Sequence, residues 1–454
     1  MAEKDADCHF ICNFAHRNKI GMKTLRYLLL FLAFLPSQLP SKSLTASEQL
    51  TLDASLQELA DRLLEGKQGS IVMLDPTTGE VKCMAFSSYD ADTLNRAISN
   101  AYAPGSTFKV ANMLTFLSTH SLTTETQYTC YQGFWRGKYH VGCHKHRSPQ
   151  ALVGALSNSC NSYFCKAFMD YVDNATLFKS RGEAVDVWSS YIKSMGFGAP
   201  LGIDLAGEVG GTVPTAASLD REYKGRWNSQ TIMWLGMGQG EITATPLQLC
   251  NLAALVANRG WYLTPHVHKP KAGTELDAKF TTRHECKAAA EAFDPVIRGM
   301  RLCTLTGTAH SMSKPIDWHV CGKTGTAENY DNDHSIFIGY APMDKPRIAV
   351  CVYIEHGGFG ADMAAPMAAL MIEQALQGKL SAHSKVRAQK WQDYLITPPT
   401  SDEPTQVVEE QILLDDDASI SNMTADRSKQ SKVRSARTYV KPPVKKVFGK
   451  KKNN

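Results

Sequence analysis

Long hydrophobic runs, strong charge of one sign and internal repeats are all missing from this 454-residue chain. The apolar run near the N-terminus, Tyr27 to Leu35, is far short of the roughly 20 residues that span a bilayer. Net charge is only +5, and most of the basic excess lies near the C-terminus, which excludes a nucleic-acid-binding body. Without a repeat there is no solenoid or propeller to consider. No Gly-Lys-Ser/Thr follows Gly357-Gly358-Phe359-Gly360, so that stretch is not a phosphate loop; it lets a strand turn into the last helix. No cysteine follows the apolar run closely, so nothing there supports a lipoprotein anchor. The 12 cysteines are too sparse for a disulfide scaffold of this length, yet numerous for an exported chain, where thiols tend to pair or bind metal.

What is present begins with an export signal. Lys19, Lys23 and Arg26 precede the apolar run, and Pro36 and small polar residues follow it. That order is the n-region and h-region of a signal sequence, with a cleaved signal favoured over a short permanent anchor. Met22 stands just before the charges, which marks residues 1–21 as an over-extended start. The chain therefore divides into an N-terminal segment, 1–46, a folded body, 47–384, and a tail, 385–454. The tail is acidic and polar over 399–426, then basic without any acid over 427–454, and reads as disordered. With 43% hydrophobic residues, the body can bury a large core.

Within the body, apolar spacing predicts a helix over 48–66, then a hairpin of Gly69–Leu74 and Val81–Phe86 around Asp75-Pro76-Thr77-Thr78-Gly79. A helix is expected from Ser106 to Phe116, mainly helices over 150–260, and another from Thr245-Pro246-Leu247 to about Asn258. Strands follow at Trp318–Thr326, His334–Ala341 and Arg347–Glu355, then an Ala-rich helix, Ala361–Leu380. Strands at both ends with helices between them predict an α+β fold: one antiparallel sheet closed by early and late segments, flanked by helices, with an all-helical subdomain.

Three motifs carry the chemistry. Ser106-Thr107-Phe108-Lys109 places a hydroxyl and an amine one helical turn apart, about 5–6 Å at Cβ. A buried, deprotonated lysine can take the proton that makes serine a nucleophile, and a helix N-terminus favours the developing negative charge. Ser159-Cys160-Asn161 offers a second hydroxyl for proton relay and an amide for hydrogen bonds to substrate and Lys109. Lys323-Thr324-Gly325-Thr326 lies on a strand, with Lys323 and Gly325 on one face and Thr324 and Thr326 on the other. Gly325 admits a substrate backbone, while Lys323 and the threonine hydroxyls suit a carboxylate. The N–H groups of Ser106 and Thr326 suit an oxyanion. Alone, each motif occurs by chance in exposed helix starts, loops and strand ends; the ordered set points to acyl transfer.

The ordered set resembles that of penicillin-binding proteins and serine β-lactamases. From about Leu50 to Leu380 the chain resembles the transpeptidase domain of class B penicillin-binding proteins, of the elongation type. The likeness is carried by Ala101-Tyr102-Ala103-Pro104-Gly105 before Ser106, Gly238-Gln239-Gly240, Thr245-Pro246-Leu247-Gln248, Gly307-Thr308-Ala309, Lys323 to Ala327 and Phe337-Ile338-Gly339-Tyr340-Ala341-Pro342. It implies a penicillin-binding protein/serine β-lactamase-like transpeptidase fold and a peptidoglycan D,D-transpeptidase in the bacterial envelope. By that resemblance, Ser106 would be acylated by a stem peptide ending in D-Ala-D-Ala, with Lys109 as base and Ser159, Asn161 and Lys323 in proton relay and binding. β-Lactams would be its inhibitors, and the cell-wall elongation machinery its partner; no cofactor, catalytic metal or nucleic acid is implied. The pattern departs from the family in one respect: only a short stretch separates the apolar run from the catalytic body, where family members carry a long non-catalytic region. That departure bears on the usual glycosyltransferase partnership. A D,D-carboxypeptidase, a serine β-lactamase or a non-catalytic sensing module would use the same residues.

Cys130, His140, Cys143, His144, His146 and Cys160 cluster around the second motif. Three readings stand side by side: zinc held by Cys130, Cys143 and His146, as the resemblance suggests for this region; a Cys130–Cys143 disulfide; or free thiols with surface histidines.

Overall fold

Hydrophobic alternation along the strands sets the central sheet between two cores. The computed structural model describes residues 49–89, 94–137, 139–314, 316–329 and 332–396; the expected export segment, 1–46, and the tail beyond 396 lie outside them. The central sheet is formed by β1 (Gly69–Leu74), β2 (Val81–Ser87), β3 (Cys321–Ala327), β4 (His334–Ala341) and β5 (Ile348–Ile354). Its spatial order is β2-β1-β5-β4-β3, every pair antiparallel, so the first hairpin is closed by the last strands. Ile71 and Met73 pack into one core and Val72 and Leu74 into the other; β5 divides likewise, with Val350 and Val352 against Cys351 and Tyr353. Period-2 alternation with both faces covered makes these strands almost continuously apolar.

One core lies beneath α1 (Ala54–Leu64), which Asp53 caps by accepting from the N–H groups of Ser55 and Leu56. Such a cap contributes about 1 kcal/mol. The other core fills the helical subdomain: α2 (Lys109–Ser118), α3 (Leu152–Ser157), α4 (Asn161–Val172), α5 (Arg181–Ser194), α6 (Pro246–Ala257) and α7 (Phe293–Leu305). α6, buried from Pro246 to Val256, starts with a capping box between Thr245 and Gln248 and with proline in its first turn. The first core is completed by α8 (Ala364–Gln377) and α9 (Ala382–Gln392).

Three expectations change in detail. The first motif does not start an α-helix at Ser106: Gly105–Phe108 is a 3-10 turn and α2 begins at Lys109. The segment before α3, rich in Cys, His and polar residues, holds two small sheets, Gln127–Tyr128 with Gln150–Ala151 and Gly133–Arg136 with Tyr139–Gly142, whose strands are too short to show a period. The boundary expected at Lys385 falls inside α9. Composition turns polar there because most of α9 is exposed, but Ala388 and Trp391 are buried, and the Lys67 amine donates to the Trp391 carbonyl at 2.6 Å. Packed structure therefore continues to residue 396.

Candidate active site

The segment before Ser106 is fixed first. Tyr102 forms a bridge with Ala244 through two backbone hydrogen bonds of 2.9 and 2.8 Å. Its ring stacks on Tyr353 of β5 at 4.5 Å, and its hydroxyl donates to Glu355 at 2.8 Å. Glu355 also lies 3.6 Å from the Arg96 guanidinium, so a buried ion pair anchors the loop to the end of β5. Burial and the Glu355 charge push the Tyr102 hydroxyl well above its usual pKa, which keeps it a proton donor. Gly105 then turns with φ +52°, its N–H bonded to the Gly238 carbonyl at 2.9 Å; a Cβ there would lie 2.6 Å from the Thr326 carbonyl oxygen. This glycine lets the first motif lie directly against the edge strand.

Lys109, fully buried, binds the first motif to the second. Its Nζ is 2.9 Å from Ser106 Oγ, 3.0 Å from the Ser159 carbonyl oxygen, 3.3 Å from Ser159 Oγ and 2.6 Å from Asn161 Oδ1. Asn161 is oriented for this by donating its amide to the Gly142 carbonyl at 3.0 Å. Ser159 holds φ +54°, a left-handed conformation that costs a non-glycine residue about 1–3 kcal/mol and turns its carbonyl and hydroxyl toward the same amine. Desolvation lowers the Lys109 pKa from 10.5 to about 8. An amine so tuned can accept the Ser106 proton near neutral pH.

On the other wall, Lys323 is also fully buried and donates to the Thr324 carbonyl at 2.8 Å. Burial, with the nearby Lys109 charge, lowers its pKa to about 7. Lys323 and Gly325 share the face toward the first motif; a Cβ on Gly325 would meet Thr107 Cγ2 at 2.8 Å. Thr324 and Thr326 take the opposite face. There the hydroxyls of Thr324 and Thr308 are 2.6 Å apart, and the Gly360 N–H donates to Thr326 Oγ1 at 3.4 Å. The first and second motifs thus come together at Lys109, and the third lies beside them on β3, with Lys323 and Gly325 on the side of the first motif and the Thr324 and Thr326 hydroxyls on the other. β3 is the edge strand of the sheet. Motif spacing did not single out Thr308, Glu355 or Arg96. Thr308 stands in the family-like Gly307-Thr308-Ala309 but meets Thr324 only in the fold, and a lone Arg and Glu 259 positions apart carry no sequence signal.

Beside the second motif, ligand atoms of Cys130, Cys143, His146 and Cys160 lie within 4.8 Å of one another. Cys130 and Cys143 are free thiols here and form no disulfide, and Cys160 adds a fourth donor to the three expected. Cys143 Sγ is 3.4 Å from His146 Nε2, while the other ring nitrogen lies 2.8 Å from the Arg147 carbonyl oxygen and 2.9 Å from Gln150 Nε2. The Cys160 thiol, followed by His144 and His146, holds the Cys143 thiol well below its usual pKa. Three sulfurs and one imidazole nitrogen are a donor set that fits tetrahedral zinc.

Residues 69–373 match the family described as "Penicillin binding protein transpeptidase domain". The chain is 29% identical over 374 residues to the peptidoglycan D,D-transpeptidase MrdA of Acinetobacter baumannii, covering 70% of this chain and 52% of that protein. It is 27% identical to the same-named protein of Haemophilus influenzae, covering 74% of this chain and 57% of that one. The chain thus spans about half the length of the curated relatives it matches. Among solved structures it is similar to Pseudomonas aeruginosa PBP2 in complex with WCK 5153, with TM-score 0.63 and 27% identity, covering 74% of this chain and 80% of that one.

Proposed function

The chain belongs to the penicillin-binding protein transpeptidase family, and from that premise we propose that it is a peptidoglycan D,D-transpeptidase acting through Ser106. Ser106 Oγ attacks the carbonyl of the penultimate D-Ala of a stem peptide while Lys109 takes its proton. The N–H groups of Ser106 and Thr326 would hold the oxyanion that develops. The C–N bond breaks, the departing D-Ala receives a proton relayed by Ser159, and an ester remains on Ser106. The amine of a second stem then attacks the ester, forms the new amide and frees Ser106. Asn161 orients substrate and Lys109. Lys323 and the Thr324 and Thr326 hydroxyls serve the terminal carboxylate, with Gly325 leaving room for the peptide backbone. No cofactor enters these steps.

The observation that carries this reading is the 2.9 Å contact between Ser106 Oγ and a buried amine whose pKa falls to about 8. The test is labelling with a fluorescent penicillin, wild type beside Ser106→Ala. Stable labelling of wild type and none of the variant is expected. Rapid turnover without accumulation would assign a β-lactamase, and absence of any label would sink the acyl-enzyme reading. A carboxypeptidase would release D-Ala from a peptide donor but form no cross-linked product.

The same reading places the protein at the outer face of the bacterial inner membrane. Among the described residues no helix is long and apolar enough to cross a membrane; the segment that would direct export lies outside them. Partners in wall elongation fit this role, supported by 26% identity to a chain of a "peptidoglycan synthase complex" structure, TM-score 0.64. Cys130, Cys143, His146 and Cys160 would hold a structural zinc ion, whose bonds would brace the loop bearing Ser159 and Asn161. Zinc analysis of the purified protein, with about one equivalent expected, tests that assignment.

A further inference from the structure

Two thiols flank the residues that hold the Lys109 amine. Cys160 stands between Ser159 and Asn161, whose oxygens surround Lys109 Nζ at 3.0, 3.3 and 2.6 Å. Cys143 follows Gly142, whose carbonyl accepts from the Asn161 amide at 3.0 Å. The Cys143 and Cys160 thiols share a hydrogen bond, and their sulfurs lie within 4.8 Å of each other. Cys160 is buried, and its sulfur caps α4 by accepting from the Tyr163 N–H at 3.3 Å. Cys130 is buried too, and its thiol donates to Ser162 Oγ at 3.2 Å. Cys143 is only half-buried. A dissolved reagent therefore meets Cys143 first, and Cys160 is the thiol already turned toward it.

We propose that Cys143 and Cys160 are a site of reversible oxidation, and that the disulfide they form dismantles the four-donor cluster and draws the second motif away from Lys109. Its metal step rests on the zinc assignment above, and its effect on acylation rests on the transpeptidase reading. The oxidant is a soluble disulfide. Cys143 sulfur, as thiolate, attacks one of its sulfurs, and the other leaves as a thiolate. Cys160 sulfur, also as thiolate, then attacks Cys143 Sγ and expels the second half of the reagent. Two protein thiols are oxidised, one disulfide is reduced to two thiols, and the protons lost by the protein end on those thiols. Only Cys130 and His146 remain as donors, two where tetrahedral zinc takes four. The new bond brings the sulfurs to about 2.05 Å. Cys160 has little freedom to move, because its sulfur caps α4 and Ser159 before it holds φ +54°. The shift falls on Gly142 and Cys143, and it carries the Gly142 carbonyl off the Asn161 amide. An exported domain works where thiols are prone to this exchange.

The test uses the full chain, zinc-loaded and metal-free, with glutathione disulfide as the oxidant. Peptide mass mapping after alkylation is expected to find Cys143 joined to Cys160, and a chromogenic chelator to detect about one equivalent of released zinc. The rate of fluorescent-penicillin labelling should fall by about 10²-fold, the cost of roughly 1 Å at a reacting group, and dithiothreitol should restore it. Cys143→Ser and Cys130→Ser are each compared as the ratio of reduced to oxidised rate. Cys130→Ser should keep the oxidative loss, and Cys143→Ser should lose it. In wild type the mapped bond and its reversal decide the matter without any variant. Cys130 joined to Cys143, or no bond at all, overturns the pair. A Cys143–Cys160 bond with an unchanged labelling rate overturns its hold on the second motif. If the purified protein carries no zinc, the zinc assignment fails while the metal-free oxidation still judges the pair. If reduced wild type takes no penicillin, the transpeptidase reading fails and the mapping still stands on its own.

Discussion

Lys109 and Lys323 are both fully buried amines, yet the walls that carry them are built differently. Lys109 is held by four polar atoms, three of them about 50 residues away in the chain. Lys323 makes one backbone contact to its own neighbour and is placed by a ladder that pairs β3 with β4 from Cys321 to Ala327. The β wall would keep its shape without its lysine, because backbone hydrogen bonds define it. The helical wall has no such ladder. There one side chain both supplies the base and ties Ser159 and Asn161 to Ser106.

Replacing the two lysines is the strongest way to break this comparison. In Lys109→Ala, penicillin acylation is expected to fall about 10²–10⁴-fold, the contribution of a positioned general base. Stability should also fall by about 1–3 kcal/mol, because the Ser159 and Asn161 acceptors lose their donor. Lys323→Ala should slow acylation with a smaller change in stability, or a gain, since burying its charge is itself unfavourable. Denaturant unfolding alongside labelling kinetics reads both; equal destabilisation by the two variants would refute the distinction.

Gly105→Ala acts on the seam between the walls. The new Cβ meets the Thr326 carbonyl at 2.6 Å at a residue with φ +52°. We expect a loss of about 1–3 kcal/mol and a marked drop in labelling rate, with Lys109 chemistry intact in its pH profile. Wild-type labelling kinetics would make the seam unimportant.

The pH dependence sharpens the contrast further. Acylation should rise with pH through about 8 as Lys109 loses its proton. Both amines titrate lower in the folded chain than in the unfolded one, so the unfolded chain binds more protons between about 7 or 8 and the ordinary lysine value of 10.5. Stability therefore rises with pH across that window, and the cost of the two buried charges is fully present below about pH 7. A labelling rate flat from pH 6 to 9 would remove Lys109 as the base.

The smallest effect is expected at Tyr102→Phe, which keeps the stack on Tyr353 but removes the bond to Glu355. About 1 kcal/mol of stability and less than tenfold in labelling rate should be lost. A larger loss in rate than in stability would show that the anchor sets the position of Ser106 itself.

Much of the sheet was legible in advance because its strands have local signals. Gly69–Leu74 and His334–Ala341 fall where apolar patterning and turn residues put them. α6 was announced by Thr245-Pro246 and the glutamine three residues later, all neighbours in sequence. The small sheets before α3 were not, since two- to four-residue strands are held by partners rather than by period. The 3-10 turn at Ser106 escaped for a related reason. It is shaped by contacts of Gly105 with Gly238 and Thr326, more than 130 positions away.

By itself the sequence determined which chemical groups this protein has to work with. A serine, a lysine, a second serine, an amide and a second lysine stand in that order, in local contexts that put the first just ahead of a helix and the last on a strand. Residue identity and short-range geometry suffice for that. Only the tertiary structure decided that Lys109 reaches Ser106, Ser159 and Asn161 together, that Cys160 joins three distant donors, and that Thr308 meets Thr324. Each of these depends on closing long loops and excluding water around charged groups, and those are properties of the packed chain rather than of any segment in it.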